Sequence, residues 1–325
     1  QILVETGLVP GVKEYAVSMV LAENKRVQQG KVLGTGYYNT WVHLKRAPNA
    51  RTNAFTRLLT ENALLNVPIA HGEGRFMMSP TLLAQIQAQG LGVLYYCDAQ
   101  GEVIDEFPTN PNGSMANLAA ICNVAGNVLA MMPHPERTEK GDVIFKSMRD
   151  YIENLTQPNV TPLHYQPQGI SMQPFVKQGS ECIVELLITD NQALTVQNRL
   201  QQLGIPVTVK RCAHWEINAP AEETVQTIQQ SGALFNSRKE KPLAAQTLLQ
   251  GNSLTILVRA KEDLIGQETL QHLKKHLKVE VNHLRHGILW QFTSTTNTAL
   301  DHLASILQTN IIANPYAHDC YHYCV

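Results

Sequence analysis

Two stretches in the second half of this chain run through the same order of apolar strand, amphipathic helix and tryptophan-bearing strand, which restricts that half to a duplicated α/β unit. A strand pattern from Cys182 to Thr189 leads into a helix pattern bearing Val196, Leu200 and Leu203, then a strand pattern from Val207 to Ile217 that contains Trp215. Leu254 to Ala260, a helix bearing Leu270, Leu273 and Leu277, and strand segments from Val279 to Phe292 with Trp290 repeat that order. Equivalent points lie 72 residues apart for Val184 and Ile256, 74 for Val196 and Leu270, and 75 for Trp215 and Trp290. Each copy closes on a further helix-like segment, Glu222 to Ser231 and Thr298 to Thr309. A unit of about 70 residues must cover one face of its sheet with something, and two such units packed together would do so.

Upstream, a helix-like stretch from Val143 to Leu155 ends where Gln157 to Gly179 gathers Pro158, Pro162, Pro167 and Pro174 among glutamines and glycines, a linker by composition. The predicted organisation is a first domain over 1–155, a linker over 156–179, and repeats over 180–250 and 251–325. Of the 325 residues, 26 are basic and 27 acidic, so no global basic field argues for nucleic acid or an anionic membrane. No run approaches the roughly 18 apolar residues of a membrane span. Six scattered cysteines without a secretory signal fit a reducing, cytoplasmic setting better than a disulfide framework.

Chemistry concentrates in the first domain. Met131-Met132-Pro133-His134-Pro135-Glu136-Arg137 sets a histidine and a carboxylate two residues apart just after an apolar strand. Such a pair lets an imidazole face a substrate while the carboxylate fixes its tautomer, the arrangement needed beside an activated nucleophile. Taken alone, the pair also fits ordinary surface polar residues around a proline turn. Val67 to Ala70 reads as a short buried strand ending in the turn His71-Gly72-Glu73-Gly74-Arg75, where His71, Glu73 and Arg75 alternate and could project together or simply pair with neighbours. Asn110-Pro111-Asn112-Gly113-Ser114 is a turn on any reading.

In order and spacing these strings, with Gly126-Asn127-Val128-Leu129, resemble the glutaminase subunits of phosphoribosylformylglycinamidine synthase, class I triad-type glutamine amidotransferases of purine biosynthesis. The resemblance covers Gln1 to about Leu155. It implies an α/β class I glutaminase domain, flavodoxin-like, three-layered and partial, followed by two small two-layer α/β units. It implies that a cysteine on a strand-to-helix elbow attacks the carboxamide of glutamine, with His134 as general base and acid and Glu136 orienting it. It also puts Gln1, His71, Glu73 and Asn112 at the substrate. The family's elbow reads roughly Gly-x-Cys-Asn-Gly-x-Gln-Ile-Leu, and Gln1-Ile2-Leu3 looks like the part that follows the cysteine. The expectation is an N-terminally truncated chain that does not hydrolyse glutamine as given. Cys97 and Cys122 sit in apolar runs of strand character without a glycine-flanked turn, so neither fits the nucleophile.

Lys261 to Glu268 and Ile311 to Pro315 resemble the small bridging subunit of the same synthase, and the first copy resembles it more faintly. That implies a covalent pseudo-dimer fused to the glutaminase. The partner implied is the large synthetase subunit, which uses ATP and magnesium. No phosphate-cradling glycine loop appears in this chain, no cofactor is expected in it, and no metal site is assigned. His318, Cys320, His322 and Cys324 share one face of a possible strand, an arrangement that rarely closes a zinc sphere. His272 and His276 read as part of a solvated helix face. Two other readings remain open: a non-catalytic docking and bridging protein of the synthase complex, and a class I amidotransferase for another acceptor.

Overall fold

The computed structural model describes residues 1–61, 63–154, 160–249, 253–294 and 303–324. It divides into two compact units, Gln1–Gln168 and Gly169–Val325, and the fold is mixed α/β.

The first unit carries strands β1 (Met19–Glu23), β2 (Lys25–Gln28), β3 (Lys31–Thr35), β4 (Tyr38–Arg46), β5 (Leu64–His71), β6 (Glu73–Met78), β7 (Gly92–Cys97), β8 (Leu118–Cys122) and β9 (Leu129–Met131). Its helices are α1 (Ile2–Glu5), α2 (Pro80–Ala88) and α3 (Asp142–Glu153). Five strands form a sheet in the order β5-β4-β7-β8-β9, while β1 pairs with β6 and β2 with β3. Every pairing in the five-stranded sheet is antiparallel, rather than the parallel order of a flavodoxin-like layer. Parallel neighbours need crossover connections of a dozen residues or more, usually helical; here β4 reaches β5, and β8 reaches β9, without an intervening α-helix.

The strand expected at Val67 to Ala70 extends over Leu64–His71, and Leu65, Val67 and Ile69 alternate into the core. Pro68 is tolerated because β5 is an edge strand. Its carbonyl accepts the His134 N–H at 2.8 Å outside the ladder, and the N and C=O of one residue point the same way, so its missing N–H costs no ladder bond. Helix α2 begins at Pro80, with Ser79 Oγ accepting the Leu82 N–H at 3.2 Å, and buries Leu82 and Ile86 one turn apart.

The second unit repeats the order β-α-β-α-β. The first round comprises β11 (Ser180–Leu186), α4 (Asn191–Gln202), β12 (Val207–Asn218), α5 (Glu222–Gln230) and β13 (Glu240–Leu243). The second comprises β14 (Ser253–Ala260), α6 (Leu264–His276), β15 (His283–Ser294), α7 (Leu303–Gln308) and β16 (His318–His322), and β10 (Met172–Pro174) precedes both. All seven strands form one sheet, β10-β16-β14-β15-β12-β11-β13. The central ladder joins β12 to β15 over twelve residues each, and Ala213 lies opposite Ile288. Those two residues are 75 apart, the spacing of Trp215 and Trp290, so a pseudo-two-fold axis passes between them.

Two spacings differ from those in the sequence pattern. Val184 pairs with Ala213 and Val258 with Ile288, which makes the outer strands equivalent at 74 residues rather than 72. Asp190 caps α4 by accepting from Ala193 N and Asp263 caps α6 by accepting from Gly266 N, which makes the helices equivalent at 73 rather than 74. The caps fix the helix phase more sharply than the apolar stripe, whose width admits a slip of one residue. The repeats are not separate bodies, because each would leave a bare strand edge and pairing those edges merges them. Within the expected helix Thr298 to Thr309, residues 298–302 lie outside the described residues.

The segment read as a linker is built into both units at its ends. Leu163 is buried with the first unit's core, the carbonyls of Pro162 and His164 accept from Gln89 and Gln85, and Met172–Pro174 forms β10. In the C-terminal tail Cys320 is buried in the core, while the N–H of Asn314 donates to His318 Nδ1 at 3.1 Å. Among the described residues no three His, Cys, Asp or Glu side chains converge on a metal position. No helix among them is long and apolar enough to cross a membrane.

Candidate functional site

β9 delivers the chain to His134, which precedes the single 3-10 turn Pro135–Arg137. That turn folds Glu136 back onto the imidazole, with Nδ1 2.8 Å from Glu136 Oε1. Burial raises the Glu136 carboxyl, but a backbone hydrogen bond, the His134 hydrogen bond and the charges of His134 and Arg137 outweigh it, leaving the group below its ordinary value. An ionised Glu136 requires a proton on His134 Nδ1, so Nε2 presents the lone pair that a general base uses. The ring is 28% exposed, hence reachable.

Three residues before His71 on the same strand, Pro68 ties His134 to β5. His71 itself is 8% exposed, and its pKa falls to about 4, first through burial and second through the nearby charge of His134. Asn24 fixes it: Asn24 Nδ2 donates to the His71 carbonyl at 2.6 Å, the carboxamide lies 3.1–3.2 Å from His71 Nδ1, and Oδ1 accepts the Gly74 N–H at 2.9 Å. His71 Nε2 is buried without a hydrogen-bond partner. Gln1 Nε2 donates to Glu73 Oε2 at 3.2 Å on the exposed rim. The structure thus gathers Gln1, His71, Glu73, His134 and Glu136 around the ends of β5 and β9 and the start of β6.

Asn112, expected at the substrate, lies in the turn beside this group. It is fully buried, its Nδ2 donates to the Gly74 carbonyl at 2.8 Å, and its Oδ1 accepts the Ser114 N–H at 3.1 Å. Both ends of the carboxamide therefore help hold two turns together. Gly113 in that turn has φ +74°, and a Cβ there would meet the Lys25 carbonyl at 2.7 Å. Asn24 escaped the sequence reading. It lies between β1 and β2 in the polar run Glu23-Asn24-Lys25-Arg26, and only the fold shows that it bridges His71 and Gly74.

The cysteines of this unit do not complete the pair. Cys97 is buried at the end of β7, where desolvation, with Asp98 adding and Lys45 opposing, pushes its thiol up to about 11. Burial pushes Cys122 higher still. Neither forms thiolate near neutral pH.

The first unit matches known proteins. Residues 1–154 match the family described as a CobB/CobQ-like glutamine amidotransferase domain. More particularly, the chain is 36% identical over 170 residues to phosphoribosylformylglycinamidine synthase subunit PurQ of Methanothrix thermoacetophila, covering 47% of this chain and 64% of that one. It is 41% identical over 140 residues to the subunit of the same name from Aquifex aeolicus, covering 43% and 53%. The chain therefore spans between half and two thirds of the length of these curated relatives. A chain of the solved structure of PurLQS from Thermotoga maritima aligns at 28% identity over 41% of this chain and 52% of that one, with a TM-score of 0.29, too low to bear on the fold.

Proposed function

We propose that this chain belongs to the glutaminase component of a phosphoribosylformylglycinamidine synthase, releasing ammonia from glutamine for a synthetase partner. The observation that carries the reading is the His134–Glu136 pair at 2.8 Å, standing in the segment that matches the amidotransferase family. A cysteine thiolate attacks the carboxamide carbon; the carbon–nitrogen bond breaks as His134 delivers a proton to the departing nitrogen, giving ammonia and a glutamyl thioester. His134 then takes a proton from water, whose oxygen attacks the thioester, and glutamate leaves as the thiolate is regenerated. Glu136 keeps the imidazole oriented and stabilises its protonated form. On this reading neither Cys97 nor Cys122 is the attacking cysteine, since both are buried and hard to ionise.

On this reading Gln1, His71 and Glu73 lie on the glutamine side of His134. The second unit acts as a covalent pseudo-dimer of the bridging-subunit kind, a reading supported by the two-fold register of the β12–β15 ladder. ATP and magnesium belong to the synthetase partner, and this chain needs no cofactor for its own half-reaction. The test is glutamate release by the full-length gene product with and without the synthetase. Partner-stimulated release is the expected result. No release in either condition, with a folded protein, leaves a docking and bridging protein.

A further inference from the structure

Outside the candidate site, α6 presents two imidazoles that the fold does not use. His272 and His276 lie one turn apart on its exposed side, with ring centroids 4.5 Å apart and planes inclined at 35°. The helix beneath them is firmly set: Asp263 Oδ1 accepts the Gly266 N–H at 2.8 Å, and Leu264, Gly266 and Leu273 face the interior. At the 73-residue spacing of the two caps, the corresponding positions are Arg199 on α4 and its C-cap Leu203. The repeat therefore folds without a histidine pair at this point, and the pair is a property of the second copy alone.

We infer that His272 and His276 form a bidentate surface site for a late first-row divalent cation, of the Ni2+ or Cu2+ type. Imidazole is a good ligand for these ions, and a helix brings residues i and i+4 onto one face. A metal–nitrogen bond of about 2.0–2.1 Å puts a ring centroid about 3.2 Å from the ion, so two imidazoles sharing one ion have centroids about 4.5–5.2 Å apart. The observed 4.5 Å is within reach of one shared ion, and among divalent ions Ni2+ and Cu2+ bind such nitrogen ligands most strongly. The two rings are already gathered on one rigid element, so little conformational entropy is lost on binding. Lys274 and Lys275 on the same turn oppose a cation, while the negative end of the helix dipole in this last turn favours one. Water fills the other coordination positions, leaving the ion open to a further ligand.

Ni2+ titrated into the 325-residue chain tests this without reference to the amidotransferase reading. The ring resonances of His272 and His276 should broaden before those of any other histidine, and calorimetry should report one site. His272→Gln and His276→Gln should each weaken that site by about tenfold or more, with helix content unchanged because both residues are exposed. His322→Gln should leave the affinity as it was, since the exposed His322–Cys324 contact is the competing surface site. First broadening at another histidine, or unaltered affinity in either α6 variant, would overturn the assignment.

Discussion

Gly74 lies so close to the His71 ring that a Cβ built on it would stand 2.1 Å from His71 Cε1. The strand turn can therefore close over the imidazole only with glycine at this position. Gly74→Ala should force the ring or the β6 backbone to move, costing about 2 kcal/mol as other overpacked sites do. A thermal melt of the chain should show the first unit losing several degrees, and an unchanged melt would mean that the ring has room to give.

His71 also sets a pH dependence. Its folded pKa of about 4 lies below its ordinary 6.5, so between those values the unfolded chain holds a proton that the folded chain refuses. Stability is then fully present above about pH 6.5, falls as the pH drops towards 4, and levels off below that, a loss of about 3 kcal/mol. His214 and His286, held below their ordinary values chiefly by burial, act with the same sign in the second unit. The test is thus the difference between the parent and His71→Gln in urea melts at pH 7 and pH 4.5. The variant should lose less stability on acidification, and parallel losses would count against a neutral, buried His71.

Much of this was legible in the sequence. The proline and histidine around Glu136 encode a tight turn, and the turn alone brings the carboxylate to the ring. Tryptophans 75 residues apart announced the duplication in the second unit, though not that the two copies would merge into one sheet. What could not be read was tertiary in origin. Asn112 has the composition of a binding-loop residue, yet Gly74 and Ser114 occupy both ends of its side chain. Asn24 carries no motif, because its partners His71 and Gly74 lie about 50 residues away in sequence. The antiparallel order of the five-stranded sheet depends on which strand edges meet, something local patterns leave undetermined.

The second unit holds a buried ion pair, Arg259 with Glu216 at 3.0 Å, whose side chains are 7% and 4% exposed. The Gln178 N–H also donates to this carboxylate, and the Arg259 guanidinium lies over the Phe175 ring. Arg259→Met should leave Glu216 charged and without its counter-ion, costing about 3–5 kcal/mol. Adding Glu216→Leu should recover most of that loss, since an apolar pair of similar volume serves a core at least as well. A double-mutant cycle by chemical denaturation measures both, and additive losses would contradict the coupling.

Glu136→Gln should keep the turn while removing the charge that orients His134. Glutamine turnover by the full-length protein should fall by orders of magnitude, much as a triad histidine in the wrong tautomer fails. The loss should appear in kcat more than in KM if, as proposed, Glu136 acts through His134 and not on glutamine.

On the proposed function His134 serves glutamine hydrolysis and nothing beyond it. The most direct test is to reconstitute full-length His134→Ala with the synthetase partner and measure amidine formation from glutamine and, separately, from ammonium chloride. The glutamine-dependent rate should disappear while the ammonia-dependent rate stays at the parental level. Loss of both rates, or retention of glutamine-dependent turnover, would contradict it.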